Sequence, residues 1–518
     1  MIRTIRKLFF YPLLLAFAAG GCVWFFSMPY RPERLFRAVP AGARLLSVHR
    51  GLGARWDTLA AHPLVVRAAE LNGLAPGEWQ KFATDPETRR WLQRLGSDEL
   101  VLTRFEMPRG GRSAWGLATW IGGASPRFRW LLAAGRVPGM VKFGDYCGRP
   151  LWLVRSRLLP PGRHLAVAVE EGLLFACLSE DANDLCQMLD AYDGAAPSCA
   201  DSASLLGTAA PDRGWLDLGR GPGPDRIDFE LDRVDAAGIA GRARLSGWDE
   251  PLPPAAGKLD VSSLDSVLGA RPDAVALLDP AWLRRLAEPA LRSAWGVQLR
   301  HLLDMQGTGA VAFGLYGDAR SGRFKGVRVP GLTAAVRLKD PAAFEPALAD
   351  VLDRLNAHYQ WGLICGPSPF APGLRVFEST ANETAYSGFP TGERVACAVT
   401  NGWLVLGSNF ETLRGLLAPT NAPAAAGAGA ADWRPRGDEA SGAGLVWLDL
   451  DRASRTLRLA LAVYTLRLLL ADADGSAAQR ERINLWKDYL DALPPLRTAR
   501  IRVTGSGTTV GLRFRLGD

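Results

Sequence analysis

From Val395 to Leu406 the chain runs Val-Ala-Cys-Ala-Val, a polar break, Asn401-Gly402, and then Trp-Leu-Val-Leu. Two short apolar runs around Asn-Gly predict a tight hairpin, because this dipeptide accepts the two positive φ angles of a type I′ turn. Ser408-Asn409-Phe410-Glu411 follows and reads as a capping box that opens a helix. An earlier stretch repeats this order, with a strand at Leu165–Val169 and a helix expected from Glu180 to Leu189 behind Ser179. Elsewhere the period is 3.6: after Asp340-Pro341, the residues Phe344, Leu348, Val351, Leu352 and Leu355 share one helical face that should cover a sheet. Asp85-Pro86, Ser125-Pro126 and Asp279-Pro280 mark further helix starts, where the side chain caps free amides and proline fits the first turn. Hairpins interleaved with covering helices predict an α+β fold with a mainly antiparallel sheet.

The pattern occurs twice. Trp215-Leu216-Asp217-Leu218 returns 232 positions later as Trp447-Leu448-Asp449-Leu450, and Pro40 with Leu45-Leu46 returns at the same shift as Pro272 with Leu277-Leu278. Leu165–Gly172 matches Val395–Gly402 at a shift of 230, Gly96 matches Gly307 at 211, and Arg242–Leu245 matches Arg513–Leu516 at 271. Ordered matches at similar shifts predict two tandem copies, residues 31–247 and 264–518, joined by a linker at 248–263 that contains Pro251, Pro253 and Pro254. Residues 421–444, rich in Ala and Gly, read as a loop inside the second copy. The late jump in shift implies an insertion of about forty residues in the second copy. Leu457, Leu461 and Tyr464, then Ile483, Trp486 and Leu490, stand at helical spacing on either side of Asp472–Gly475, which predicts a helical hairpin over 453–493. Its apolar face either caps the sheet or docks a partner through Leu457, Leu461, Tyr464 and Trp486.

The first 30 residues place the copies. Arg3, Arg6 and Lys7 precede Leu8–Met28, 21 residues without a formal charge, enough for one membrane-spanning helix. Basic residues ahead of the span predict a cytoplasmic N-terminus and a body outside the cytoplasm, as in a single-pass protein of the bacterial inner membrane with a periplasmic body. A cleaved signal peptide usually has a shorter apolar core. Ala19-Gly20-Gly21-Cys22 also resembles a relaxed lipobox with Cys22 as the lipidated residue, although Ala19 stands where Leu is usual and Val23–Phe26 continues the apolar run. Span length favours the uncleaved anchor. The anchor, the proline-containing entry strand, the hairpin followed by a helix and the duplication resemble membrane-anchored bacterial envelope proteins known only as domains of unknown function. That resemblance implies the architecture and carries no active-site residues.

Charge separates the copies. Asp228 and Glu230 alternate with Ile227, Phe229 and Leu231 in the first, ahead of Arg242 and Arg244; the corresponding segments of the second carry Arg500 and Arg502, then Arg513 and Arg515. Four like charges on one hairpin face repel unless something anionic covers them. Glu481, Asp488 or Asp491 of the insertion is one candidate, and an anionic lipid or another polyanionic envelope component is the other. The overall balance of +8 adds little, since the 61 basic residues are 7 lysines and 54 arginines spread along the chain. Export and the lack of a basic stripe interleaved with aromatics argue against nucleic acid. A 48% hydrophobic content and 17 Trp exclude a disordered chain.

Catalytic patterns are missing from the sequence. His49, His62, His164, His301 and His358 show no metal-ligand spacing, and there is no nucleophile elbow, no phosphate-binding loop and no CxxC. His49 and His62 are close enough to share a site, but His62 lacks an evident acidic partner. Cys147, Cys177, Cys186 and Cys199 in the first copy and Cys365 and Cys397 in the second permit disulfides, or serve as small buried apolar residues. Asp217 and Asp449 of the repeated motif read as strand residues that are exposed or cap a helix. The expectation is therefore a non-enzymatic, membrane-tethered scaffold or binding protein, without cofactor or metal, that meets an envelope protein or anionic lipid. The alternative is a carrier or hydrolase for an amphipathic substrate, which would require an apolar cavity, or a cleft uniting His49 or His62 with carboxylates and a nucleophile.

Overall fold

The computed structural model describes residues 30–517 apart from 203–208, 292–310, 380–394, 418–432, 436–440, 471–482 and a number of shorter interruptions. The expected anchor, Cys22, Gly307 and Trp486 lie outside the described residues. Among those that are described, no helix is long and apolar enough to cross a membrane. The chain is α+β with a large antiparallel sheet, and its contacts divide it into two compact units, Met1–Ala236 and Ala237–Asp518.

In the first unit the strands are β1 (Ala43–Arg50), β2 (Glu99–Glu106), β3 (Ser113–Trp120), β4 (Met140–Tyr146), β5 (Arg149–Val154), β6 (His164–Glu170), β7 (Leu173–Ser179), β8 (Asp212–Asp217) and β9 (Arg226–Asp235). They pair antiparallel in the order β9-β8-β1-β2-β3-β7-β6-β5-β4. Its helices are α1 (Glu33–Arg37), α2 (Leu52–Ala60), α3 (Pro63–Leu71), α4 (Glu78–Thr84), α5 (Pro86–Leu95), α6 (Ala124–Ala133) and α7 (Leu185–Asp193). One sheet face packs Leu46, Val48, Phe105 and Phe175 against Leu35 and Phe36 of α1 and Leu185, Met188 and Leu189 of α7. The other packs Trp152, Val167 and Val169 against Phe128 and Leu132 of α6. In β6 the two faces alternate between cores, so the strand is apolar at every inner position.

The second unit comprises β10 (Gly238–Ser246), β11 (Ala274–Leu278), β12 (Val311–Tyr316), a small hairpin of β13 (Gly322–Phe324) and β14 (Val327–Val329), β15 (Gly331–Arg337), β16 (Leu363–Pro367), β17 (Leu374–Ser379), β18 (Ala396–Thr400), β19 (Trp403–Gly407), β20 (Gly444–Asp449), β21 (Thr498–Ser506) and β22 (Thr509–Gly517). Its helices are α8 (Asp265–Leu268), α9 (Pro280–Leu291), α10 (Pro341–Tyr359), α11 (Phe410–Leu417) and α12 (Leu450–Leu470). The sheet order is β10-β22-β21-β20-β11-β12-β15-β19-β18-β17-β16. From β21 to β16 this order matches the first unit from β9 to β4 strand for strand. Helices α10 and α6 follow equivalent strands, as do α11 and α7.

Local chemistry explains the elements and corrects several expectations. Asn401 and Gly402 have φ of 50 and 78°, and Glu171 and Gly172 have 42 and 85°, so both hairpins turn through two left-handed residues. Asp85 caps α5 through the Thr88 amide at 2.7 Å, and Phe344, Leu348, Val351, Leu352 and Leu355 of α10 are all buried. The cap of α11 is Asn409, whose Oδ1 accepts from the Thr412 amide at 2.7 Å; Ser408 instead accepts from the Leu332 amide at 2.9 Å, so no Ser-Glu box forms. Ser125 is buried one residue inside α6, and α7 begins at Leu185, after a turn capped by Asp181.

The repeat register also shifts. Trp215 pairs with Leu46, whereas Trp447 pairs with Val275, so the structural partner of Leu46 is Val275 and not Leu278. A three-residue slip would turn every side chain of the strand to the other face, and the buried pairs Leu46/Val48 and Val275/Leu277 show which register burial selects.

Candidate functional site

The four arginines singled out by charge come together on β21 and β22, and a third strand extends them. Arg500 stands directly opposite Arg515, Arg502 opposite Arg513, and Arg513 opposite Arg242 of β10. Residues that pair directly share a face, as do residues two apart along a strand, so Arg242, Arg244, Arg500, Arg502, Arg513 and Arg515 project from one side of three adjacent strands. The alternating positions turn the other way: Leu245, Val503, Val510 and Leu512 pack with Trp248 and with Trp282 of α9. Burying that apolar set forces all six cations onto one face.

Spacing follows from strand geometry, about 5 Å across strands and about 7 Å between alternate residues along one. Arg242, Arg244, Arg513 and Arg515 are exposed, while Arg500 and Arg502 are half-buried. The half-buried pair donates to carbonyls, Arg500 to Arg434 at 3.4 Å and Arg502 to Ser441 at 2.8 Å, and Arg502 also meets the Ser441 hydroxyl. Arg242, Arg500 and Arg502 are each engaged within the fold. Among the described residues, Arg244, Arg513 and Arg515 form no ion pair. Of the three acids expected to cover the face, Asp491 instead pairs with Arg458 of α12, and Glu481 and Asp488 lie outside the described residues.

The insertion lies between β20 and β21, at the place of the short β8–β9 connection. Asp449 caps α12 through the Arg452 amide at 3.0 Å, and Asp273 accepts from Thr456 at 2.7 Å and pairs with Arg452 at 2.6 Å. Leu450 and Ala453 are buried, so the first turns of α12 are tied to the sheet. Leu457 and Leu461 are half-buried; Tyr464 belongs to α12, with its side chain outside the described set. Asp217, the counterpart of Asp449, accepts from the Gly219 amide at 2.8 Å and pairs with Arg44 at 2.9 Å. The repeated aspartates thus serve a turn and a cap.

At one end of β1 the first unit holds a polar chain that sequence reasoning missed. Ser47 Oγ lies 3.0 Å from His49 Nε2, and His49 Nδ1 lies 2.9 Å from Asp212 Oδ1. Arg55 of α2 grips both Asp212 oxygens at 2.6 and 2.8 Å. Burial works against the charge on Asp212, but the hydrogen bonds from Arg55 and His49 prevail and hold its pKa at about 2. On the opposite face, fully buried Arg213 donates to Glu99 at 2.7 Å, joined there by Arg50 and Tyr30. Burial again opposes ionisation of Glu99, and these three donors outweigh it and lower its pKa.

The order serine, histidine, aspartate is that of a nucleophile, base and orienting acid. Ser47, however, is 5% exposed within a central strand, and Asp212 is already committed to Arg55. The chain fastens α2 to the sheet. Its counterparts in the second unit are Ala276, Leu278 and Gly444, by the register of the paired tryptophans.

His62 is buried apart from this chain, its Nδ1 accepting from the Leu64 amide at 3.3 Å, and burial lowers its pKa. The six described cysteines are free thiols. Cys177 is fully buried, which pushes its pKa up to about 12, as expected of a small core residue. Cys365 and Cys397 approach to 3.9 Å between sulfurs from β16 and β18, with β17 between them. At that separation the two sulfurs are in contact and not bonded. No cluster of three or more potential metal ligands occurs among the described residues. No protein-family model, curated protein or solved structure matches the chain.

Proposed function

We propose that this chain is a non-enzymatic, membrane-tethered binding protein or scaffold of the bacterial envelope, built by internal duplication, whose second unit presents its arginine face to an anionic envelope polymer. The observation that carries the proposal is the direct pairing of arginine with arginine across β10, β22 and β21. Like charges placed opposite one another destabilise a sheet. A folded chain that retains them at five positions, with Arg513, Arg515 and the neighbouring Arg244 exposed and without an ion pair among the described residues, is suited to a partner bearing repeated phosphates or carboxylates that orients on their spacing. The tether is Leu8–Met28, and the two units with matching strand order support the duplication.

Photocrosslinking tests the reading. A photoreactive residue replaces Arg244, at the margin of the patch, in the anchored protein within its native envelope. The expected adducts carry phosphate or carboxylate polymer. Adducts confined to neutral or apolar molecules would reject the proposal.

A further inference from the structure

We propose that the outer face of α6, with Trp130 at its centre, docks onto the anionic lipid surface beside the anchor; this rests on the membrane-tethered reading above. Three observations converge on it. The first is where the chain leaves the membrane. The apolar run ends at Met28, two residues before Tyr30, so Tyr30 stands within about 7 Å of the end of the span. Tyr30 is fixed to the first unit: its hydroxyl donates to Glu99 at 2.7 Å, and its ring meets Trp120 edge-on at 5.8 Å. Trp120 ends β3, and α6 begins four residues later at Ala124. The exit point therefore brings the start of α6 to the bilayer surface.

The second is what α6 exposes. Phe128 and Leu132 face the core, while Trp130 is 56% exposed, more than any other large apolar side chain described. A tryptophan that could pack inward gains nothing from water at this position. At a lipid surface its apolar body and N–H suit the boundary between acyl chains and headgroups.

The third is charge. The guanidinium of Arg136 lies over the Trp130 ring, 5.0 Å from its centroid, and Arg127 stands one turn before Trp130 on the same face. Both arginines are exposed and, among the described residues, neither has an ion pair. Arg31 and Arg37, exposed beside the exit point, add to the positive surface. Arg129 is partly offset by Glu170 at 3.9 Å, and the acids near the exit point are Glu33, Asp98 beside Tyr30, and Glu171, which pairs with Arg34 at 2.6 Å. An aromatic flanked by unpaired cations, next to a tether, fits a surface of lipid phosphates.

Full-length protein reconstituted into vesicles tests this, with phosphatidylglycerol or phosphatidylcholine brominated near the headgroup. Subtracting the fluorescence of a Trp130→Phe variant from that of the wild type isolates Trp130. The expected result is strong quenching of the Trp130 signal by brominated phosphatidylglycerol, severalfold weaker with phosphatidylcholine, in high salt, or in an Arg127→Ala/Arg136→Ala variant. Alkaline carbonate washing is read alongside. Protein that stays with the vesicles while Trp130 is quenched by neither lipid overturns docking and leaves the tether standing. Protein released by the wash overturns both.

Discussion

Asp212 carries a defined share of the acid sensitivity of the first unit, alongside Glu99. Its folded pKa of about 2 lies below that of an unfolded aspartate, so its stabilisation is present above about pH 4–5 and is lost as pH falls toward 2. That shift corresponds to about 2 kcal/mol, and the Asp212→Asn variant should lose that part of the dependence. Urea midpoints at pH 7 and pH 3 check this; a midpoint drop as large in the variant as in the wild type would contradict it. Ser47 is expected to resist a fluorophosphonate probe in the native protein, because its hydroxyl is buried in the sheet. Stoichiometric labelling at Ser47 would revive the hydrolase alternative. Little of this was legible in the sequence: His49 stood out, but Asp212 is 163 positions away and only the β1–β8 register brings it opposite.

Among the elements, turns and caps were the most readable, since they depend on two to four neighbouring residues. Asn401-Gly402 and Asp85 act as their chemistry requires. The capping box over Ser408–Glu411 failed because Asn409 offers a better-placed acceptor and the sheet claims Ser408. The Leu-Leu match between Leu45-Leu46 and Leu277-Leu278 misled by three residues, because identity of letters ignores which face a strand buries. The arginine hairpin was legible from alternation, whereas the addition of Arg242 depended on β10 pairing with β22. That pairing sets an expectation for stability. Arg513→Glu places an acid between Arg242 and Arg502 and should raise the stability of the second unit by about 0.5–1 kcal/mol, read as a higher urea midpoint at low salt. An unchanged or lower midpoint would mean that the rows do not repel.

Across the whole molecule, the two units share a run of nine strands in the same order and differ in their polar chemistry. Two units with the same run of strands bury equivalent tryptophans, Trp215 and Trp447, yet the first unit spends its polar residues on a buried network where the second has Ala276, Leu278 and Gly444. The second gains an insertion and an arginine face. The repeated tetrapeptide was legible because its tryptophans, Trp215 and Trp447, are buried at equivalent places in the two units, while strand order remained hidden because pairing partners lie far apart in sequence. Arginine stands directly opposite arginine on one sheet face of the second unit, and the proposed anionic partner is argued from that placement. The direct test is a titration of the full-length protein with linear polyphosphate across a range of salt concentrations, wild type beside Arg513→Glu/Arg515→Glu. The wild type should bind with an affinity that falls steeply with salt, and the variant should bind at least about tenfold more weakly with a flatter salt dependence; equal affinity and equal salt dependence in the two proteins would contradict the assignment of this face.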